Sequence, residues 1–245
     1  AHINTLLRLS PKEQYEPLQE QLADLELSRA KHDLAADPAA LQRSVEGILR
    51  KHRDFPAALS ELARIEHSQQ RNESAAKLWA KAFNNSGNTT YLKSLAGMYL
   101  RASNPALAVS SVRAAVETRE SNDSSDPRGR IFLVSLLLRL EMTDQAETDL
   151  RVIERMNLDE SLASATALLR ANVLNRRGRF DEALAELSRA VPGAYGEFDL
   201  EDLFNSDSAG RIWSRDQHRN GGQNPSPRLS VQLKVAQVGN LRNAA

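Results

Sequence analysis

The sequence predicts an all-α solenoid, in which antiparallel helical hairpins follow one another along the chain. From about Ser10 to Val191, apolar residues recur at the three- and four-residue spacing of helices, with almost no strand-like alternation. Capping signals and short turns divide this stretch into about ten helices, and such short connections make each helix antiparallel to its neighbour. The 11 glycines and 9 prolines are scarce for 245 residues and concentrate at these boundaries and toward the C-terminus.

Capping signals mark where the helices begin and end. Ser10, Pro11 and Glu13 combine an N-cap, a first-turn proline and a capping-box glutamate, and the first helix is predicted from about Pro11 to Leu34. A cap residue followed by proline recurs at three later starts, Asp37-Pro38, Asn104-Pro105 and Asp126-Pro127. Gly178 stands where a helix should end, because glycine accepts the left-handed conformation of a helix C-terminus.

An internal repeat organises these helices. Four alanines at intervals of about 33 to 38 residues serve as anchors: Ala75, Ala108, Ala146 and Ala183. Four residues after each anchor comes a bulky apolar residue: Trp79, Val112, Leu150 and Leu187. Twelve residues before each anchor comes a small or short one: Ala63, Ala96, Val134 and Ala171. Small residues at these positions allow two helices to approach closely.

This small–large–small spacing across two helices resembles the tetratricopeptide repeat (TPR) family. The resemblance is clearest from Phe55 to Val191 and extends back to about Leu22, although Glu66 stands where the family has an aromatic residue. It implies about four to five repeats stacked into a right-handed superhelix, with the first helix of each repeat on the concave surface. Residues 1–191 are therefore predicted to form the repeat domain.

Residues 192–245 differ in composition and are predicted to be an irregular tail, a capping segment or the start of a further region. An acidic stretch, Glu197 to Phe204, is followed by a basic stretch and a polar loop. Two hypotheses stay open for the acidic stretch. It either covers the exposed apolar end of the last hairpin, or it occupies a basic groove in place of a partner.

Composition excludes several classes of function. The 32 basic and 32 acidic residues cancel, which argues against a general nucleic-acid binder. The absence of cysteine excludes a disulfide scaffold and a thiol nucleophile, and no two histidines stand at metal-ligand spacing. The longest apolar run, Ile131 to Leu138, is too short for a membrane span. No catalytic, cofactor or metal site is predicted, and a soluble protein of the cytoplasm or periplasm is expected.

Basic and polar residues recur on the helix faces predicted to line the groove. Seven residues before each anchor stand Ser68, Arg101, Arg139 and Arg176. The predicted partner groove comprises Arg64, His67, Lys93, Arg101, Arg128, Arg139, Asn172, Asn175 and Arg176. Because arginine binds carboxylates with two parallel hydrogen bonds, an acidic, extended protein segment is the expected ligand. The alternative is that arginines in the last turn of a helix only complement the helix dipole.

Two more specific predictions concern binding of chaperone tails and the role of Trp79. TPR proteins that bind the acidic tails of heat-shock chaperones carry a carboxylate clamp of Lys, Asn and Arg residues. Lys93 matches that pattern, but its remaining positions hold Gly97, Phe132, Ala165 and Leu169, so chaperone-tail binding of that kind is not expected. Trp79 could anchor a partner, but its place at the bulky position of the repeat predicts that it is buried in the core.

The function predicted from the sequence is a non-enzymatic protein-interaction scaffold that holds a segment of a partner in its concave groove. The alternative is an accessory TPR domain excised from a larger enzyme, secretion protein or polysaccharide-export protein. The first residue, which is Ala rather than Met, motivates this alternative.

Overall fold

A computed structural model describes residues 15–122 and 126–189, which form ten α-helices and contain no strand. In chain order the helices are α1 (Tyr15–Asp33), α2 (Pro38–Lys51), α3 (Pro56–Ser68), α4 (Asn72–Ser86), α5 (Thr90–Arg101), α6 (Pro105–Ser121), α7 (Arg128–Arg139), α8 (Thr143–Ile153), α9 (Glu160–Arg176) and α10 (Phe180–Arg189). The predicted all-α class is confirmed. The predicted cap at Ser10 and the whole of 192–245 lie outside the described residues.

The chain divides into two compact units. Within the described residues, the first unit comprises 15–122, 126–140 and 144–157, which contain α1 to α7 and all but the first residue of α8. The second unit comprises 141–143 and 158–189, which contain α9 and α10. The predicted boundary at residue 191 falls beyond the described part and stays a prediction.

The repeat positions predicted from the sequence are buried. The four anchors, Ala75, Ala108, Ala146 and Ala183, are at most 6% exposed. The short residues twelve positions earlier are equally buried: Ala63, Ala96, Val134 and Ala171. Large side chains at these positions would hold the two helices of a hairpin apart, because protein interiors are close-packed. The predicted burial of these repeat positions is therefore confirmed.

Capping side chains begin several helices as predicted, with one shift. Asp37 and Asn104 each accept a hydrogen bond from the backbone N–H three residues later, at 3.0 Å and 3.1 Å. The third predicted cap, Asp126, lies one position too early, because Pro127 is the N-cap of α7 and Asp126 accepts a backbone N–H two residues on. Asp159 caps α9, which the sequence reading did not predict.

Three-residue turns join the two helices of four hairpins. The middle residue of each has a positive φ of 55° to 75°: Gln70, Ser103, Glu141 and Gly178. In the turn after α3, the N–H of Arg71 bonds to the carbonyl of Glu66 at 2.9 Å, which closes the helix end. Only the last of these turns uses glycine, so the other three hold ordinary residues in a conformation that disfavours a Cβ.

The left-handed turns predict opposite effects of two substitutions. Gln70→Gly should raise the free energy of unfolding by about 0.5–1 kcal/mol, because it removes the Cβ from a positive-φ position. Gly178→Ala should lower it by a similar amount for purely conformational reasons, since no atom lies within 4 Å of a Cβ built there. Urea unfolding of both variants measures this. Equal signs for the two changes would contradict the account.

Apolar clusters hold the hairpins together within each unit. In the first unit, α1, α2 and α3 share a core that includes Leu27, Val45 and Ile65. In the second unit, Leu174 of α9 packs with Ala183 of α10. Each hairpin thus buries one apolar stripe, and burial of such side chains contributes about 1.5–3 kcal/mol each.

Helix α7 is buried over its whole length. Every residue from Gly129 to Leu138 is buried, as expected for a segment in which all residues but Arg130 and Ser135 are apolar or glycine. A Cβ built on Gly129 would lie 2.7 Å from Cζ of Phe83 in α4 and 3.2 Å from Cγ2 of Val116 in α6. Gly129 therefore allows α7 to lie close against both helices.

A buried ion network links α6, α7 and α8. Asp149 is 2% exposed and accepts hydrogen bonds from two arginines. Arg113 binds both of its carboxylate oxygens at 3.1 Å and 2.8 Å, and Arg130 binds one at 2.6 Å. Arg130 also donates two hydrogen bonds to Glu120, one of them at 2.8 Å. The four charges cancel, which is what allows Asp149 and Arg130 to be buried.

Glu66, which replaces the family's aromatic residue, is buried and paired. Arg71 donates to both of its carboxylate oxygens, at 2.5 Å and 2.6 Å. These hydrogen bonds, with a further one from Ser74, hold the pKa of Glu66 below its usual value of 4.5. A charged residue is thus tolerated at an apolar repeat position because the next helix begins with its counter-ion.

This pairing predicts an acid-sensitive contribution to stability. Because the folded-state pKa of Glu66 is depressed, its stabilisation is present above the unfolded pKa and is lost as the pH falls through the folded pKa. Glu66→Gln should therefore flatten the decline in melting temperature between about pH 5 and pH 3. Arg71→Gln should have the same effect, since it removes the guanidinium that lowers the pKa of Glu66. A decline as steep as in the original protein would contradict this assignment.

Candidate partner-binding surface

The predicted groove residues fall in both units. Six lie in the first unit, on α3, α5 and α7: Arg64, His67, Lys93, Arg101, Arg128 and Arg139. Three lie in the second unit, on α9: Asn172, Asn175 and Arg176. The neighbours of these nine side chains differ from helix to helix.

On α3, Arg64 is bound to an acidic neighbour. It donates to Oε1 of Glu61 from Nη2 at 2.5 Å and from Nε at 3.1 Å, which raises the pKa of the Arg64 guanidinium. The carboxylate of Glu61 is buried and also lies 3.7 Å from Nζ of Lys31 in α1. Two cations therefore surround one anion where α1 meets α3, and this surface keeps a positive excess.

The rings of His67 in α3 and Trp79 in α4 lie next to each other. The ring of His67 is half-buried, with Nδ1 2.8 Å from Oδ1 of Asn72 and its centroid 6.1 Å from the ring of Trp79. Trp79 is 5% exposed and donates its indole N–H to Oγ of Ser60 at 3.2 Å. The prediction that Trp79 is a core residue is confirmed.

Helix α5 presents a stripe of Lys93, Gly97 and Arg101, each one helical turn from the next. A Cβ built on Gly97 would meet only the end of the Arg101 side chain, at 3.4 Å, so the backbone is open to approach between the two cations. Nearby, burial and the charge of Asp24 in α1 raise the pKa of Tyr91. The stripe combines positive charge with a half-buried glycine that lacks a side chain.

The two predicted residues on α7 flank its buried segment. Arg128 is exposed, and its Nε lies 3.8 Å from Oδ1 of Asp126. Arg139 is half-buried, and burial lowers the pKa of its guanidinium. Because residues between them are buried, α7 offers solvent only these two ends.

In the second unit, the predicted residues contact each other. Nε of Arg176 donates to Oδ1 of Asn172 at 2.9 Å, one helical turn away, and all three residues of α9 are half-buried.

A cavity that the sequence did not predict lies between α1 and α2. It has a volume of about 450 Å³ and contains none of the nine predicted groove residues. Its lining is Glu26, Arg29, Ala30, Asp33, Leu34, Ser44, Gly47, Ile48 and Lys51. Its charges are already paired, Lys51 with Glu26 and Arg29 with Asp33, both at 3.2 Å. Such pairing leaves little excess charge to attract a ligand.

Two kinds of site are absent from the part of the chain that the structure describes. Within 15–122 and 126–189, no group of three or more His, Asp or Glu side chains could hold a metal ion. None of the helices in those ranges is long and apolar enough to cross a membrane. At the positions of the chaperone-tail clamp, Phe132, Ala165 and Leu169 are buried core residues.

Comparison with known proteins gives structural likenesses only. No protein-family model and no curated protein matches the chain. Among solved structures, the chain is similar to the ArsTM double mutant of MamA RS-1, with a TM-score of 0.41 and 14% identity over 76% of this chain and 97% of that one. It is also similar to YrrB, described as a TPR protein with an unusual peptide-binding site (TM-score 0.42, 15% identity, 87% and 98% covered). A third is BtubC (BKLC) from P. vanneervenii (TM-score 0.40, 18% identity, 84% and 93% covered).

Proposed function

We propose that this protein is a non-enzymatic scaffold that binds an acidic, extended segment of a protein partner on the first helices of its repeats. The binding surface centres on the Lys93, Gly97 and Arg101 stripe of α5. Arg64 of α3 occupies the same repeat position as Gly97, eleven residues before its anchor. It is bound to Glu61 but its side chain is 62% exposed, so it borders the surface.

The observation that carries this proposal is Gly97. Glycine in a helix interior costs about 0.5–1 kcal/mol relative to alanine, and here no close packing requires it. The missing side chain instead opens the backbone between two cations one turn away on either side. A partner chain could approach closely there while its carboxylates bind Lys93 and Arg101, which gives the glycine a functional reason.

The exposure of its charge favours α5 over the predicted basic residues of α7 as the binding surface. On α7, Arg128 lies near an aspartate and Arg139 is desolvated, so neither offers a fully hydrated cation to an incoming ligand. Arg101 is exposed at the end of α5. An acidic segment could therefore approach the Arg101 guanidinium from solvent.

Charge reversal tests the proposal. The probe is a fluorescein-labelled peptide of about ten residues rich in Glu, compared with the same peptide carrying Gln. Arg101→Glu should weaken binding of the Glu peptide roughly fivefold to tenfold and reduce its salt dependence, because it removes a contact between opposite charges.

The matched control is Arg50→Glu. Arg50 is also exposed and also stands in the last turn of its helix, α2, so both changes disturb a helix dipole equally. Binding in the Arg50→Glu variant should stay within about twofold of the original protein, since no contact with the ligand is lost. Equal weakening in both variants, or equal affinity for the Glu and Gln peptides, would contradict the proposal.

A further inference from the structure

The last described helix carries an uncovered apolar patch. In α10, Phe180 is 56% exposed and Leu184 is 58% exposed, and they stand one helical turn apart. They lie beside Ala183 and Leu187, which pack against α9. The apolar stripe of α10 is therefore wider than the part that α9 covers.

Comparison of repeat positions indicates what should cover the patch. Leu184 follows its anchor by one residue, and the same position holds Ala76 in α4 and Val109 in α6. Both are buried, at 8% and 6% exposed, and both helices are followed by another helix of the array. The position in α8 holds the polar Glu147, which pairs with Arg151. A large apolar residue at the position of Leu184 therefore indicates that a further element of the chain follows α10 and covers it.

We infer that the acidic segment Glu197–Phe204 of this same chain packs on α10 over Phe180 and Leu184. Half of its eight residues are large and apolar: Phe198, Leu200, Leu203 and Phe204. Leu203 and Phe204 follow Leu200 by three and four residues, which suits one face of a helix, whereas Phe198 would lie on the opposite side. The segment supplies the apolar surface that the patch lacks.

The length of the connecting chain agrees with this occupant. Residues 190–196 separate it from the end of α10 and span up to about 23 Å when extended, whereas ten helical residues measure about 15 Å. The connection is long enough for the segment to return along α10.

A second copy of the chain fits the patch less well. Stable dimers bury about 800 Å² on each partner, whereas this patch consists of two large side chains. A segment of the same chain needs no such area, because its effective concentration near α10 is in the millimolar range.

Engineered disulfides test the inference in the full chain, which has no native cysteine. The pairs are Leu184→Cys with Leu200→Cys, and Leu184→Cys with Leu203→Cys. The matched control replaces Leu184 by the next residue, Ala185→Cys, with the same partners. Ala185 is also exposed, but it lies about 100° around the helix, away from the patch.

After mild oxidation, at least one Leu184 pair should form an intramolecular disulfide about tenfold more completely than its control, because disulfides need Cα atoms within about 7 Å. Mass spectrometry and non-reducing gels distinguish intramolecular from intermolecular products. Equal yields from the Leu184 and Ala185 pairs, or no intramolecular product from either, would overturn the inference. Disulfides formed mainly between two chains would assign the patch to a second copy instead and would also overturn it.

Discussion

Asp149→Ala is expected to be among the most destabilising single changes in the protein. The substitution leaves Arg113 and Arg130 facing each other without the carboxylate that now binds both. Removing one partner of a buried ion pair typically costs about 3–5 kcal/mol. The loss here should lie at about 3 kcal/mol, because Arg130 keeps Glu120 as a counter-ion and the Arg113 side chain is 30% exposed. Urea unfolding monitored by circular dichroism gives the change in the free energy of unfolding.

A matched control lies on the same helix. Arg151 of α8 pairs with Glu147 at 2.9 Å, but both side chains reach solvent. Arg151→Ala should therefore lower the free energy of unfolding by no more than about 0.5 kcal/mol, as exposed pairs one turn apart do. Losses of similar size for Asp149→Ala and Arg151→Ala would show that the buried network does not hold α6, α7 and α8 together.

Gly129→Ala should produce the second large loss of stability. The new Cβ would lie 2.7 Å from the rigid ring of Phe83, closer than atoms in packed cores approach. Either α7 or the ring must move, and overpacking of this kind costs about 1–3 kcal/mol. The same change at Gly97, where only the flexible end of Arg101 is near, should instead raise stability by up to about 1 kcal/mol through helix propensity.

A second-site change checks the cause assigned to the Gly129 effect. Phe83→Leu removes the ring atoms that the Cβ would meet, at the cost of a partial cavity. In the Phe83→Leu background, Gly129→Ala should cost at least about 1 kcal/mol less than in the original protein, because residues in contact are not additive. Full additivity of the two changes would contradict the close approach of α4 and α7.

Features set by nearby residues could be predicted from the sequence. The anchor alanines and their short partners followed from spacing, because close helix packing excludes large side chains there. The caps at Asp37 and Asn104 followed from local hydrogen-bonding capacity. The prediction at Asp126 was wrong by one residue for the same reason. An Asp before Pro can be the N-cap itself, or its side chain can accept a hydrogen bond within the turn that precedes the helix.

Features set by the tertiary environment could not be predicted in the same way. Gln70 and Glu141 occupy left-handed positions without any glycine signal, because the turn length required by the hairpin overrides the preference of the residue. The partner of Glu66, five residues later across a turn, could be recognised only once that turn was known.

The candidate site shows the same division. Basic residues at repeated positions identified α5 and Arg101, but their neighbours depend on how helices meet. The carboxylate of Glu61, which binds Arg64 and approaches Lys31, lies across the contact between α1 and α3. Burial of the whole of α7 likewise results from packing, and it separates Arg128 from Arg139.

The central claim is that an acidic segment binds across the first helices of the repeats, centred on α5. Amide hydrogen exchange of the full chain, with and without the Glu-rich peptide, tests it most directly, because bound segments slow local opening of the helices they contact. Slower exchange is predicted in Thr90–Arg101 of α5, and to a lesser degree in Pro56–Ser68 of α3. Protection confined to α1 and α2, where the cavity lies, or no protection at saturating peptide, would contradict the claim.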